Sequence, residues 1–269
     1  MFNNLFNQLT VKAVSWYFLN MLLLKKITII LLGIIITSCS DTNDTPSNNA
    51  LELEASYGIN VLEPSGLAIN NDGTVLYTVS DNTAKVYKLS LTGNVLQTFS
   101  YEGEDLEGVS SYTNNKLLLA EERSKEIVEF DMITSAVVKH RINYQNNSEN
   151  SGIEGVAFNQ NDQTIFILNE KDPGKLIRLR NDFSIIAEYD LSFASDYSGI
   201  FYDVDSNLLW IVSDQNSTLN KCTLTGELIE KYSFNITQAE GVVITNNKIY
   251  IISDALERLY EFNKPEEQH

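Results

Sequence analysis

The sequence is poor in the residues on which most enzyme sites depend. Its 269 residues include two histidines, His140 and His269, and two cysteines, Cys39 and Cys222. Two cysteines exclude a dense disulfide framework, and Cys222 reads as a small apolar residue with a lone thiol. Neither histidine lies near a repeated motif, which leaves no place for a Ser-His-Asp arrangement. Cations are also scarce: 19 Lys and Arg stand against 36 Asp and Glu, a formal charge of −17. Residues 1–38 carry Lys12, Lys25 and Lys26 and no acid, so 16 basic residues face 36 acidic ones beyond them, a balance of −20. Such a surface repels nucleic acid and anionic lipid headgroups and attracts cations and basic partners. There is no Gly-rich phosphate loop, because each repeated glycine is isolated. The apolar stretch Ile27 to Ile36 has ten residues, half of the ~20 that a spanning helix needs.

That stretch follows Lys25 and Lys26 and ends Ile36-Thr37-Ser38-Cys39. Charge, apolar core, small residues and cysteine stand in the order of a bacterial lipoprotein signal. The expectation is a signal peptide over 1–38, with Met21 an alternative start, and lipidation at Cys39. A flexible, almost wholly polar tether covers 39–50. An exported lipoprotein of the cell envelope follows, anchored to the outer or plasma membrane through its lipid alone.

What the chain has in place of these absences is a repeat. Its openings are Pro64-Ser65-Gly66-Leu67, Leu106-Glu107-Gly108-Val109, Ile153-Glu154-Gly155-Val156, Tyr197-Ser198-Gly199-Ile200 and Ala239-Glu240-Gly241-Val242. The glycines are 42, 47, 44 and 42 residues apart. Each opening is followed by a second mark: Ser80-Asp81, Ala120-Glu121, Asn169-Glu170, Ser213-Asp214 and Ser253-Asp254. Two units are shorter between the marks, where Asn114-Asn115 and Asn246-Asn247 form tight turns that tolerate positive φ.

A period of ~40–45 residues with four short strands per unit is the signature of a propeller blade. The first two strands of each unit are continuously apolar, as buried inner strands are; the third and fourth alternate. The expected fold is all-β: a five-bladed propeller of four-stranded antiparallel blades over residues 51–263, with a tail at 264–269. Unit five lacks its outer strand while residues 51–59 are spare, so the N-terminal strand is expected to close the ring.

In that fold the start of strand one and the end of strand two share one channel mouth. Glu107, Glu154 and Glu240 are the expected metal ligands, with Ser65 and Ser198 at the same position of the other units. Asp81, Glu121, Glu170, Asp214 and Asp254 form a second ring at that mouth. Converging carboxylates need protons or a cation to offset their charge. Oxygen-only ligands favour a hard cation, Ca²⁺ before Mg²⁺. The alternative is that the acids hydrogen-bond to backbone amides and space the ring.

The Glu-Gly openings at Glu107, Glu154 and Glu240, with Tyr197-Ser198-Gly199-Ile200, resemble the SdiA-regulated (YjiK-like) family over residues 51–262. The resemblance implies five blades, a distant likeness to NHL-repeat propellers, and a Ca²⁺ site. Three functions compete: a calcium-dependent, lipid-anchored binding module for a small-molecule or protein ligand; a Ca²⁺-dependent phosphoesterase or lactonase with a carboxylate such as Glu170 as base; and an envelope scaffold. A monomer with no nucleic-acid partner is expected, and no catalytic residue is assigned.

Overall fold

The computed structural model describes residues 48–113, 115–145 and 151–266. The signal segment, Cys39 and His269 lie outside the described residues. Two strands, β1 (Asn48–Ala50) and β2 (Leu53–Gly58), precede the repeats. Blade I contains β3 (Pro64–Ile69), β4 (Val75–Ser80), β5 (Lys85–Ser90) and β6 (Val95–Glu102). Blade II contains β7 (Leu106–Ser111), β8 (Lys116–Glu121), β9 (Glu126–Asp131) and β10 (Val137–Arg141). Blade III contains β11 (Ile153–Asn159), β12 (Thr164–Asn169), β13 (Lys175–Leu179) and β14 (Ile185–Asp190). Blade IV contains β15 (Gly199–Asp203), β16 (Leu208–Ser213), β17 (Thr218–Cys222) and β18 (Leu228–Ser233). Blade V is built from β19 (Ala239–Ile244), β20 (Lys248–Ser253) and β21 (Arg258–Asn263), and β2 supplies its outer strand.

Closure of the ring is visible in the register: Leu53 pairs with Phe262 and Gly58 with Arg258, antiparallel. The N-terminal strand β2 is thus hydrogen-bonded to the last strand of the chain, and the edge of β21 is covered. Two boundaries differ from the sequence expectation. Asn48–Ala50 is not tether but a short strand running parallel to Lys231–Ser233 of β18. Strand pairing is made by backbone groups, which the polar residue types of this stretch do not signal. Lys264 likewise belongs to the fold rather than the tail: its amide donates to the Asn247 carbonyl and its ammonium pairs with Asp203 at 3.2 Å.

Burial follows the strand reading. β4 and β12 are almost wholly buried, whereas β14 alternates between half-buried and exposed residues. The core is divided into five clusters, each shared by two adjacent blades. One joins Val79 and Val86 of blade I to Leu117 and Phe130 of blade II. The last joins Leu67 and Leu76 of blade I to Val243 and Ile252 of blade V. Each buried aliphatic side chain contributes about 1.5–3 kcal/mol, and no blade keeps that contribution without both neighbours. The ring is therefore the folding unit, and its inner strands are rigid supports for whatever their ends carry.

Candidate functional site

In three blades the innermost ladder slips at the same place. Leu106 pairs with Glu121 and Gly108 with Ala120, so Glu107 is the extra residue. Glu154 occupies the same position between Ile153 and Gly155, and Glu240 between Ala239 and Gly241. A bulge leaves its extra residue out of the ladder and re-aims its side chain. In blade I, Gly66 and Leu67 fall in the slip, opposite Thr78; blade IV has a regular ladder from Gly199 onward.

The glycines that follow form a ring of close approaches, backbone to backbone except at Gly155. A Cβ built on Gly66 would lie 2.9 Å from the Gly108 Cα, and one on Gly108 would lie 3.0 Å from the Gly155 Cα. A Cβ on Gly155 would meet Ile200, one on Gly199 would lie 2.7 Å from the Glu240 carbonyl oxygen, and one on Gly241 would lie 2.5 Å from Gly66. No larger residue allows the blades to approach this closely. Close approach in turn draws the bulged glutamates together.

They open into one cavity of about 460 Å³. Glu107, Glu154 and Glu240 line it with Ser65 and Ser198, and so do Asp81, Glu170, Asp214 and Asp254 of the expected second ring. Glu63 and Asp196 add two more carboxylates, and no Lys, Arg or His is among the lining residues. Burial and mutual repulsion lift the three bulged glutamates well above the ordinary carboxylate range. Glu107 is pushed up to about 9 by burial and by Asp81, partly offset by a hydrogen bond from Ser65. Glu240 is pushed up to about 8 by burial and by Asp214 and Asp254. Glu154 is raised by burial, then by Glu107, Glu122 and Glu170. Asp81 and Asp254 are raised by burial first and neighbouring acids second.

The nearest carboxylate partners of the three glutamates differ. One carboxylate oxygen each of Asp81, Asp105 and Glu107 lie within 4.8 Å of one another, and the same holds for Glu122, Glu154 and Glu170. Glu240 lines the cavity but belongs to neither group. Either group could hold a metal ion through oxygen ligands alone. The first has a further feature: Asp105, whose side chain is 7% exposed, pairs through Oδ1 with the Arg123 guanidinium at 2.9 Å, while its buried Oδ2 has no hydrogen-bond partner.

Glu121 is a correction. It is fully buried and absent from the cavity. It accepts from Lys139 Nζ at 2.6 Å, from the Tyr101 hydroxyl at 2.6 Å and from the Glu104 amide at 3.0 Å. Burial pushes its carboxyl up, but these hydrogen bonds outweigh burial and hold it below the ordinary value. The register explains the misplacement. Glu121 faces Leu106 as Ser80 faces Pro64, Asn169 faces Ile153 and Ser253 faces Ala239. Glu122 is therefore the equivalent of Asp81, Glu170 and Asp254. In a run of two glutamates, spacing alone selected the wrong one.

Asp105, Glu122, Glu63 and Asp196 were not found from sequence, yet a signal for most of them was present. The residues three before each ring glycine are Glu63, Asp105, Gly152, Asp196 and Gln238. Glu63, Asp105 and Gln238 share a positive φ of 44°, 58° and 48°. Their carbonyls accept the amides of Asp81, Glu122 and Asp254 at 3.1, 3.0 and 2.9 Å, and the Gly152 carbonyl accepts that of Glu170 at 3.3 Å. One repeated backbone clip thus holds the two acid positions side by side. The blades with Ser65 and Ser198 are those in which Glu63 and Asp196 supply the acid two residues earlier. Two cations also stand at this end: Arg123 pairs with Asp105, and Lys171 with Glu170.

The family model described as SdiA-regulated matches residues 47–196 and 185–268, which together span the whole ring. Among solved structures the chain is similar to virginiamycin B lyase from Staphylococcus aureus, with 13% identity and a TM-score of 0.50 over 74% of this chain and 80% of that one. It is also similar to a streptogramin B lyase, with 19% identity and a TM-score of 0.49 over 79% of this chain and 73% of that one. The likeness to virginiamycin B lyase, at 13% identity, extends to the fold and no further.

Proposed function

The chain belongs to the SdiA-regulated family, and from that premise we propose that it is a calcium-dependent binding module. A propeller exported as a lipoprotein through Cys39 would present its acidic mouth to a ligand in the cell envelope. Asp81, Asp105 and Glu107 would hold the cation, with Glu122, Glu154 and Glu170 as a second set. The observation that carries this reading is the Asp105 carboxylate, nine-tenths buried with Oδ2 unpartnered beside two other carboxylates. Arg123 satisfies Oδ1 alone, a buried carboxylate oxygen left without a hydrogen bond is costly, and a hard cation bound by oxygen is a partner that suits it. When bound, the ion supplies positive charge that lets these carboxyls ionise despite their burial.

The test is thermal unfolding of the purified protein with EDTA, CaCl2 or MgCl2. Calcium at about 100 times its Kd contributes about 2.7 kcal/mol and should raise Tm by several degrees. Asp105→Asn and Glu107→Gln should remove most of that rise, and Glu154→Gln should remove it only if the second set is also occupied. An equal rise in all variants would overturn the assignment.

A second reading is favoured by Glu240. It lines the cavity outside both ligand groups, and its carboxyl is lifted to about 8. A carboxyl that titrates near neutrality can act as general acid or base in hydrolysis at the same mouth. A phosphoesterase and lactonase screen with wild type and Glu240→Gln separates the two readings.

A further inference from the structure

The other end of the channel carries a larger cavity that the acidic site does not use. It measures about 690 Å³ and lies among the turns that join the first two strands of the blades. Leu67, Val109, Val156 and Ile200, which directly follow four of the ring glycines, line it. All four are at most 5% exposed, so its inner end is apolar. Its walls include Tyr112, Phe158 and Phe201, each partly exposed.

These rings are held in place. Tyr112 and Phe158 meet edge to face with centroids 4.7 Å apart, and the Tyr112 hydroxyl is bound by Asn181. The Phe158 amide donates to the Ser110 Oγ at 3.1 Å, and Ser111 Oγ donates to the Ile69 carbonyl at 2.6 Å, tying neighbouring blades together around the cavity. At the rim stand carboxamides that close no turn through their side chains: Asn71, Gln160, Asn246 and Asn247. Asn70, in contrast, is used by its turn, accepting the amides of Thr74 and Val75.

The electrostatics exclude whole classes of ligand. No Lys, Arg or His lines the cavity, so a phosphate, sulfate or carboxylate would find no counter-charge. Asp203 is matched by Lys264 at 3.2 Å, while Asp72 and Asp205 remain at the rim and repel anions further. Anions are thereby excluded, and the aromatic rings together with carboxamides, each of which both donates and accepts, suit a neutral molecule with flat apolar faces and a hydroxylated edge. The volume falls in the range of small-molecule sites. We propose that this second mouth is a binding site for a neutral pyranose oligosaccharide, distinct from the acidic cavity and not dependent on a metal.

The experiment uses the purified protein and neutral tetrasaccharides of α-glucose, β-glucose, mannose and N-acetylglucosamine, with a uronic-acid tetrasaccharide as the anionic control. Saturation-transfer NMR identifies contacts and calorimetry gives affinity, each with EDTA and with CaCl2. The expected result is binding of at least one neutral sugar with Kd of about 1 mM or tighter, no binding of the anionic control, and no effect of EDTA. Phe158→Ala should weaken binding at least tenfold. Because Phe158 also packs between blades, the surface variant Asn71→Ala/Gln160→Ala/Asn246→Ala provides a second measure, with an expected loss of at least threefold and an unchanged melting curve. The proposal is overturned if no neutral sugar binds, if the anionic sugar binds equally well, if EDTA abolishes binding, or if the folded surface variant binds as wild type does.

Discussion

At the scale of single residues, the acidic mouth is governed by burial acting on groups that water would otherwise keep ionised. Glu107 and Glu240 have an ordinary value of 4.5 and are lifted to about 9 and about 8, by burial first and neighbouring carboxylates second. The consequence for stability has a definite sign. Between pH 4.5 and about 8 the folded state holds protons on these groups that the unfolded chain has released. Stability must therefore fall as pH rises through that window in metal-free protein. The expected outcome is a Tm with EDTA that declines steadily from pH 5 to pH 8 and a much flatter profile with CaCl2. A Tm with EDTA that rises over the same range would mean that the carboxyls are ionised and satisfied by other partners. Glu121 shows the opposite case one position away. With Lys139, Tyr101 and a backbone amide around it, a buried carboxylate is kept charged and structural.

At the scale of elements, the inner strands do two things that their residue types encode separately. Continuous apolar runs bury β4, β8, β12, β16 and β20 between blades. The Glu-Gly pair at the start of β7, β11 and β19 supplies a bulge and a site of close backbone approach. The outer strand β2 closes blade V in sequence-distant register. Removing residues 48–58 should leave β21 with an open edge and expose Phe262 and Leu259, both otherwise buried. The expected product aggregates or fails to unfold cooperatively, as size-exclusion chromatography and urea denaturation would show. A soluble, cooperatively unfolding deletion would mean that closure is not needed. The four strands of each blade and this closure were legible in the sequence because period and burial alternate along the chain, whereas β1 was not. The bulge was not, because a slip in register depends on what lies opposite, and the partner strand is absent from any local pattern. That is why Glu121 was read as a mouth residue and Glu122 passed over.

At the scale of the whole molecule, a formal charge of −17 and a cavity lined by nine carboxylates act in the same direction. Both make the compact state self-repelling. Monovalent salt screens exposed charges but reaches the buried carboxyls poorly. Raising NaCl should therefore lift the metal-free Tm by a few degrees and then level off, while calcium at far lower concentration adds a further rise. If salt alone reproduced the whole effect of calcium, the ion would be acting as a screen rather than as a ligand. The two mouths differ in chemistry, one densely acidic and one apolar and aromatic with carboxamides at its rim, although both grow from the ends of the same five strands.

The sequence by itself determined the number of blades, the closure by the N-terminal strand and the end of the channel at which acids gather. Those follow from period, from alternation and from the direction of the chain, all of which are one-dimensional. Only the tertiary structure decided which acids stand within reach of one another. Asp105 joins Asp81 and Glu107, and Glu122 joins Glu154 and Glu170, while Glu240 stands apart. Each of the two groups draws on adjacent blades, so its membership is fixed by the angle and spacing between sheets, and those are set by glycine contacts and packed cores that no local stretch of sequence contains.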